Sequence, residues 1–81
     1  MKTVSVEFTS ACIGMPLPAS AGDQVAATIP AGCVLRTSAN LVHWFDVATS
    51  VPFVHQDDAC SYRIDCVTYT GPVTATLEIS Q

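Results

Sequence analysis

His43, Asp46, His55, Asp57 and Asp58 are the residues of this 81-residue chain whose types and spacing come nearest to a chemical constellation. The segment "HQDD", residues 55–58, offers one imidazole and two carboxylates, a set that an acidic loop can present to a divalent cation. A calcium loop spaces several oxygen ligands around a glycine, however, and this segment has none. A solvated acidic turn without metal is therefore the expectation. His43 lies in an apolar run, where one ring nitrogen is expected to meet a backbone carbonyl. Nucleophilic catalysis would need a Ser or Cys beside a base that a third group orients. The chain has the nucleophiles and the histidines but no motif that holds them together. "GMPLP" and "SAGD" precede no helix start, so neither reads as a phosphate cradle. A non-enzymatic protein with no cofactor is expected.

The four cysteines, Cys12, Cys33, Cys60 and Cys66, admit two chemistries. Structural zinc wants pairs two to four residues apart, whereas here 20, 26 and 5 residues intervene, so zinc is not expected. If "CSYRIDC" is one extended strand, its ends stand roughly 20 Å apart, too far for a disulfide. That leaves Cys12–Cys60 and Cys33–Cys66 as the pairings of a secreted, stapled scaffold. The simpler expectation is four reduced thiols packed as small hydrophobes.

The elements that must position these groups are strands. Val73, Ala75, Leu77 and Ile79 alternate with Thr74, Thr76, Glu78 and Ser80, the period of a half-buried strand. Residues 3–9 alternate in the same way, with Val4, Val6 and Phe8 inward, and residues 24–29 repeat the pattern. "IPAG" turns the chain into a strand over 33–38. "LVHWFDVA" is the densest apolar run; it predicts a strand with Val42, Trp44 and Asp46 on one face and Leu41, His43, Phe45 and Val47 on the other. Trp44, the only tryptophan, is expected in the core, with an interface anchor as the alternative. Short strands follow over 53–56 and 61–69. Between the first two strands, Gly14, Pro16, Pro18 and Gly22 predict a long irregular loop suited to contact. Turns every 8 to 12 residues and no helical period predict one all-β domain over 1–81, a small antiparallel sandwich or barrel of six to eight strands.

Only 12% of residues are charged, against roughly 25% in an average soluble protein. Lys2, Arg36 and Arg63 are the only fixed cations, so no basic patch exists for nucleic acid or anionic lipid. No apolar run approaches a membrane span, and "MKTVSVEFTSACIG" alternates where a secretory leader would be continuously apolar. Outward strand positions carry Ser and Thr where a free β-domain would guard its edges with lysine. Hydroxyls lose little when a partner covers them. Met15, Pro16, Leu17, Pro18, Trp44, Thr74 and Thr76 are the candidate interface residues.

The order "IPAGCVLRTSANLVHWFDVAT", a short turn, and a closing "YTGPVTATLEIS" resembles small β-rich virion proteins of tailed bacteriophages, the head decoration, cement and fibre class. The resemblance runs loosely over residues 28–80. It implies a subunit that assembles in the host cytoplasm, associates with itself and coats or stabilises a capsid shell within the virion. The alternative is a secreted binding module, such as a hydrolase inhibitor or small toxin, stapled by Cys12, Cys33, Cys60 and Cys66. A third reading uses Trp44 and Tyr69 as carbohydrate-stacking platforms.

Overall fold

The alternation that ends the chain forms the longest strand of the fold, Val73–Ser80, in a computed structural model that describes residues Met1–Gln81. Eight strands and no helix are present: β1 Lys2–Phe8, β2 Leu17–Ala19, β3 Gln24–Thr28, β4 Cys33–Ser38, β5 Phe45–Asp46, β6 Phe53–Val54, β7 Cys60–Cys66 and β8 Val73–Ser80. They make two four-stranded antiparallel sheets, ordered β1-β8-β3-β6 and β2-β7-β4-β5. The all-β sandwich expected from the turn spacing is therefore the fold.

Between the sheets lie Phe8, Val25, Ala75, Leu77 and Ile79 from the first and Ala19, Cys33, Leu35, Tyr62, Ile64 and Cys66 from the second. These are the positions that period-two alternation assigns inward, because successive side chains of a strand take opposite faces. Outside the first sheet, Ser5 sits opposite Thr76, their hydroxyls 3.5 Å apart, and Thr74 and Glu78 are exposed.

Two expectations are corrected. The loop before β3 contains β2, whose Pro18 is tolerated because the strand lies at a sheet edge, where a missing N–H breaks no ladder. The strand expected over 41–48 shrinks to Phe45–Asp46. Here local side chains capture the backbone: the Ser38 hydroxyl accepts from the amides of Asn40 and Leu41, and Asn40 Oδ1 from those of Val42 and His43. Such bonds compete with a ladder. They also accommodate Leu41 at φ 64°. His43 consequently stands exposed rather than inside an apolar strand.

The "IPAG" turn forms as expected, with the Cys33 amide donating to Pro30 O at 3.1 Å. Gly32 has φ 84°, and a Cβ there would meet Thr68 O at 2.1 Å. Only glycine fits both demands. Its carbonyl accepts from the Val67 and Thr68 amides and so fixes how β4 meets the far end of β7.

Candidate functional site

β7 runs through the middle of the second sheet and carries chemistry at both ends and on its outer face. At its start, an open cleft of about 560 Å³ is lined by Thr37, Phe45, His55, Asp58, Cys60 and Tyr62 among others. His55 is buried although Asp57 and Asp58 beside it are exposed. Its Nε2 lies 2.8 Å from Asp58 O and its Nδ1 2.8 Å from the Tyr62 hydroxyl. A carbonyl can only accept, so Nε2 carries the proton, and in the neutral ring Nδ1 accepts from Tyr62. Burial, and then the neighbouring Cys60 thiol, push the Tyr62 phenol up to about 12, which keeps that donor protonated.

Cys60 Sγ lies 3.5 Å from His55 Nε2, and the Thr37 hydroxyl is 3.4 Å from the same sulfur. A thiol beside an imidazole has the composition of a nucleophile and its base, but Nε2 already donates to Asp58 O, and Nδ1 is occupied by Tyr62. The ring's one acceptor lone pair, on Nδ1, is taken by the Tyr62 hydroxyl and is not open to take the thiol proton, which is what activation would require. No three His, Cys, Asp or Glu side chains converge on one point where they could hold a metal ion; the acidic loop spreads Asp57 and Asp58 outward while His55 turns in.

The outer face of the same sheet holds an ionic network. Arg36 and Arg63 are directly opposed across β4 and β7. Two like charges at that spacing repel, and Asp65 resolves the conflict, with Arg36 Nη1 at 3.1 Å and Arg63 Nε at 2.9 Å from its carboxylate. Asp46 adds a second contact to Arg36 at 2.9 Å and, with Asp65, holds that guanidinium above its ordinary value. Asp65 is only 2% exposed and also accepts from the Gly14 amide at 3.0 Å. Trp44 closes the network: the Arg63 guanidinium carbon sits 4.1 Å from its ring centroid. Trp44 is half-buried and outside the core, correcting the expectation that it anchors the sandwich. Arg63 occupies one face of its ring.

Of the residues expected to form an interface, Met15, Pro16, Pro18 and Thr74 are exposed, Thr76 and Trp44 are half-buried, and Leu17 packs against the core. Sequence reasoning missed a larger feature. Leu41, Val42, Phe45 and Val54 are 59%, 72%, 67% and 50% exposed. Leu41 and Val42 belong to the captured turn and Phe45 to the two-residue remnant of the apolar run, so its truncation leaves them outside; Val54 ends the equally short β6. Ile13, Met15 and Val67 are also exposed, Ile13 and Val67 flanking the Cys12–Cys66 bridge.

The cysteines divide. Cys33 and Cys66 are register partners, and Cys12 bridges to Cys66, its carbonyl accepting from the Cys66 amide at 2.9 Å. Cys60 stands alone at the opposite end of β7. The pairing Cys12–Cys60 is thereby excluded, because five residues of extended strand lie between Cys60 and Cys12's neighbour Cys66, whereas Cys33–Cys66 has the required adjacency. All four are free thiols in this structure.

Compared with protein-family models, curated proteins and solved structures, the chain gives no match.

Proposed function

We propose that this protein is a non-catalytic structural subunit that works by being covered: it associates with copies of itself and with a larger protein surface. The observation that carries the reading is the exposed apolar group Leu41, Val42, Phe45 and Val54, with a second set of exposed apolar residues, Ile13, Met15 and Val67. Large apolar side chains left this exposed on a small β-protein are what a partner would cover. Two further features support it. Edge strand β1, paired with β8 on one side, leaves the backbone groups of its other side open along seven residues of which only Lys2 and Glu7 are charged. The single thiol–imidazole contact has both ring nitrogens engaged elsewhere.

Magnitudes favour a repeated rather than a solitary contact. Covering the four side chains of the first group is worth roughly 4–7 kcal/mol, at about 1.5–3 kcal/mol for each full burial scaled by the fraction of each that is exposed. Association itself costs an estimated 4–15 kcal/mol. One such patch therefore binds weakly on its own, and many copies on one lattice bind strongly, since linked contacts add without repeating the full entropic cost. A coat or cement layer on a shell works in this way, so the phage decoration role implied by the resemblance is the form of the reading we adopt.

The test is a charge placed in the first group. Val42→Asp with Phe45→Asp alters two exposed positions, so the fold should persist by circular dichroism while self-association and shell binding disappear. Unchanged association would remove this surface from the account.

A further inference from the structure

Three thiols lie in a row across one sheet at the end of β7. The Cys33 amide donates to Pro30 and the Cys66 amide to Cys12, so neither points at the other. The flanking bond, from the Val67 amide to Gly32 O, is the one that brackets a non-hydrogen-bonded antiparallel pair. In such a pair the Cα atoms stand about 4.5 Å apart, within the roughly 4.4–6.8 Å that a disulfide spans. On the other side of Cys66, the Cys12 bridge is joined through the Cys66 amide, a hydrogen-bonded position where Cα atoms stand about 5.5 Å apart. Cys66 thus has a disulfide-compatible neighbour on each side. The two neighbours differ in access: Cys33 is buried and Cys12 exposed.

We infer that Cys12, Cys66 and Cys33 form a thiol–disulfide relay in which the exposed thiol takes up oxidising equivalents from a low-molecular-weight disulfide and passes them to the buried pair. The Cys12 thiolate attacks one sulfur of the small disulfide and expels one thiolate, leaving a mixed disulfide on Cys12. The Cys66 thiolate attacks the Cys12 sulfur, expels the second small thiolate and forms Cys12–Cys66. The Cys33 thiolate then attacks the Cys66 sulfur, forms Cys33–Cys66 and returns Cys12 as a thiolate. Two electrons and two protons pass from the protein to the small disulfide, which leaves as two thiols.

The order follows from access and acidity. Burial, with Cys66 and Cys12 close by, raises the Cys33 thiol above its ordinary value, so it is the least available first nucleophile. Cys60, at the other end of the strand, takes no part. The product is a cross-strand staple joining β4 to β7 inside the core, formed without direct access of the oxidant to either sulfur. The relay uses no partner protein and operates on the uncovered chain, where Cys12 is exposed.

The experiment is a time course of the full chain with oxidised glutathione, acid-quenched and analysed by intact mass and peptide mapping. The wild type should pass through a glutathione adduct on Cys12 and end as Cys33–Cys66. Cys12→Ser, an exposed substitution, should slow formation of Cys33–Cys66 by roughly tenfold or more. Cys33→Ser should stop at Cys12–Cys66; if that variant does not fold, the Cys12→Ser rate decides. Oxidation of Cys12→Ser at the wild-type rate, a disulfide that maps to Cys60, or a stable glutathione adduct with no intramolecular bond would each overturn the relay.

Discussion

The two ends of β7 each carry a cysteine, and the two cysteines have nothing else in common. Cys60 is hydrogen-bonded into a polar corner with Thr37 and His55, whose ring Tyr62 and Asp58 hold in place. Cys66 is buried among apolar side chains, with a thiol on the strand to either side. One end is polar and fully satisfied; the other is a row of oxidisable groups held in register by glycine. The role of a cysteine here is set by what the neighbouring strands bring to it rather than by its place in the chain.

The contrast can be attacked first through Asp65, which fastens the Cys12 loop over β7 by accepting from the Gly14 amide. Asp65→Ala removes the shared anion between two arginines and should cost about 3 kcal/mol, the lower end for a broken buried pair because both guanidiniums keep some solvent. Urea denaturation measures the loss, and alkylation of Cys66 should accelerate while that of Cys60 does not. Gly14→Ala should act at the same end with a smaller effect. Its Cβ would meet Ile64 O at 2.0 Å, backbone against which no side chain can yield, and the overpacking should cost about 1–3 kcal/mol.

The opposite end is tested by Tyr62→Phe. Loss of the hydroxyl strands His55 Nδ1 in a buried site, at about 1–2 kcal/mol in thermal or urea unfolding, and should leave glutathione oxidation of Cys66 unchanged. The same residue predicts an alkaline limb. The phenol titrates at about 12 in the folded chain and near 10 when unfolded, so the unfolded state releases its proton first. Stability should be flat below pH 10 and fall as pH rises from there towards 12. In a Tyr69→Phe background, tyrosinate absorbance reports Tyr62 alone, and Tyr62→Phe should abolish the limb. The smallest effect belongs to Cys60→Ser, which keeps a hydrogen-bonding group in the polar corner and should change stability by less than about 1 kcal/mol.

Much of this was legible in the residues. The alternation in β1, β3 and β8 identifies the inward side chains because burial on one face is what enforces period two. The Cys33–Cys66 pairing needs adjacent strands, and the two are register partners as free thiols. What could not be read were side chains competing with the ladder. "SAN" looks like a simple turn, yet Ser38 and Asn40 together absorb four amides and convert most of "LVHWFDVA" from strand to exposed turn. That error carried Trp44 into an imagined core and hid the apolar surface at Val42 and Phe45. The ionic network had a signal that went unused: Arg63 and Asp65, two residues apart in a strand, must share a face, and Arg36 is one of only two other cations in the chain. The Cys12–Cys60 pairing failed because the early loop was treated as unpaired, when its residues run along β7 and deliver Cys12 to the wrong end of it.

The central claim, that the chain functions by covering its exposed apolar surface with copies of itself, is tested most directly by native mass spectrometry of the reduced wild-type protein over rising concentration. The account predicts oligomers whose population grows with concentration and collapses in Val42→Asp/Phe45→Asp. A monomer at every concentration would contradict it.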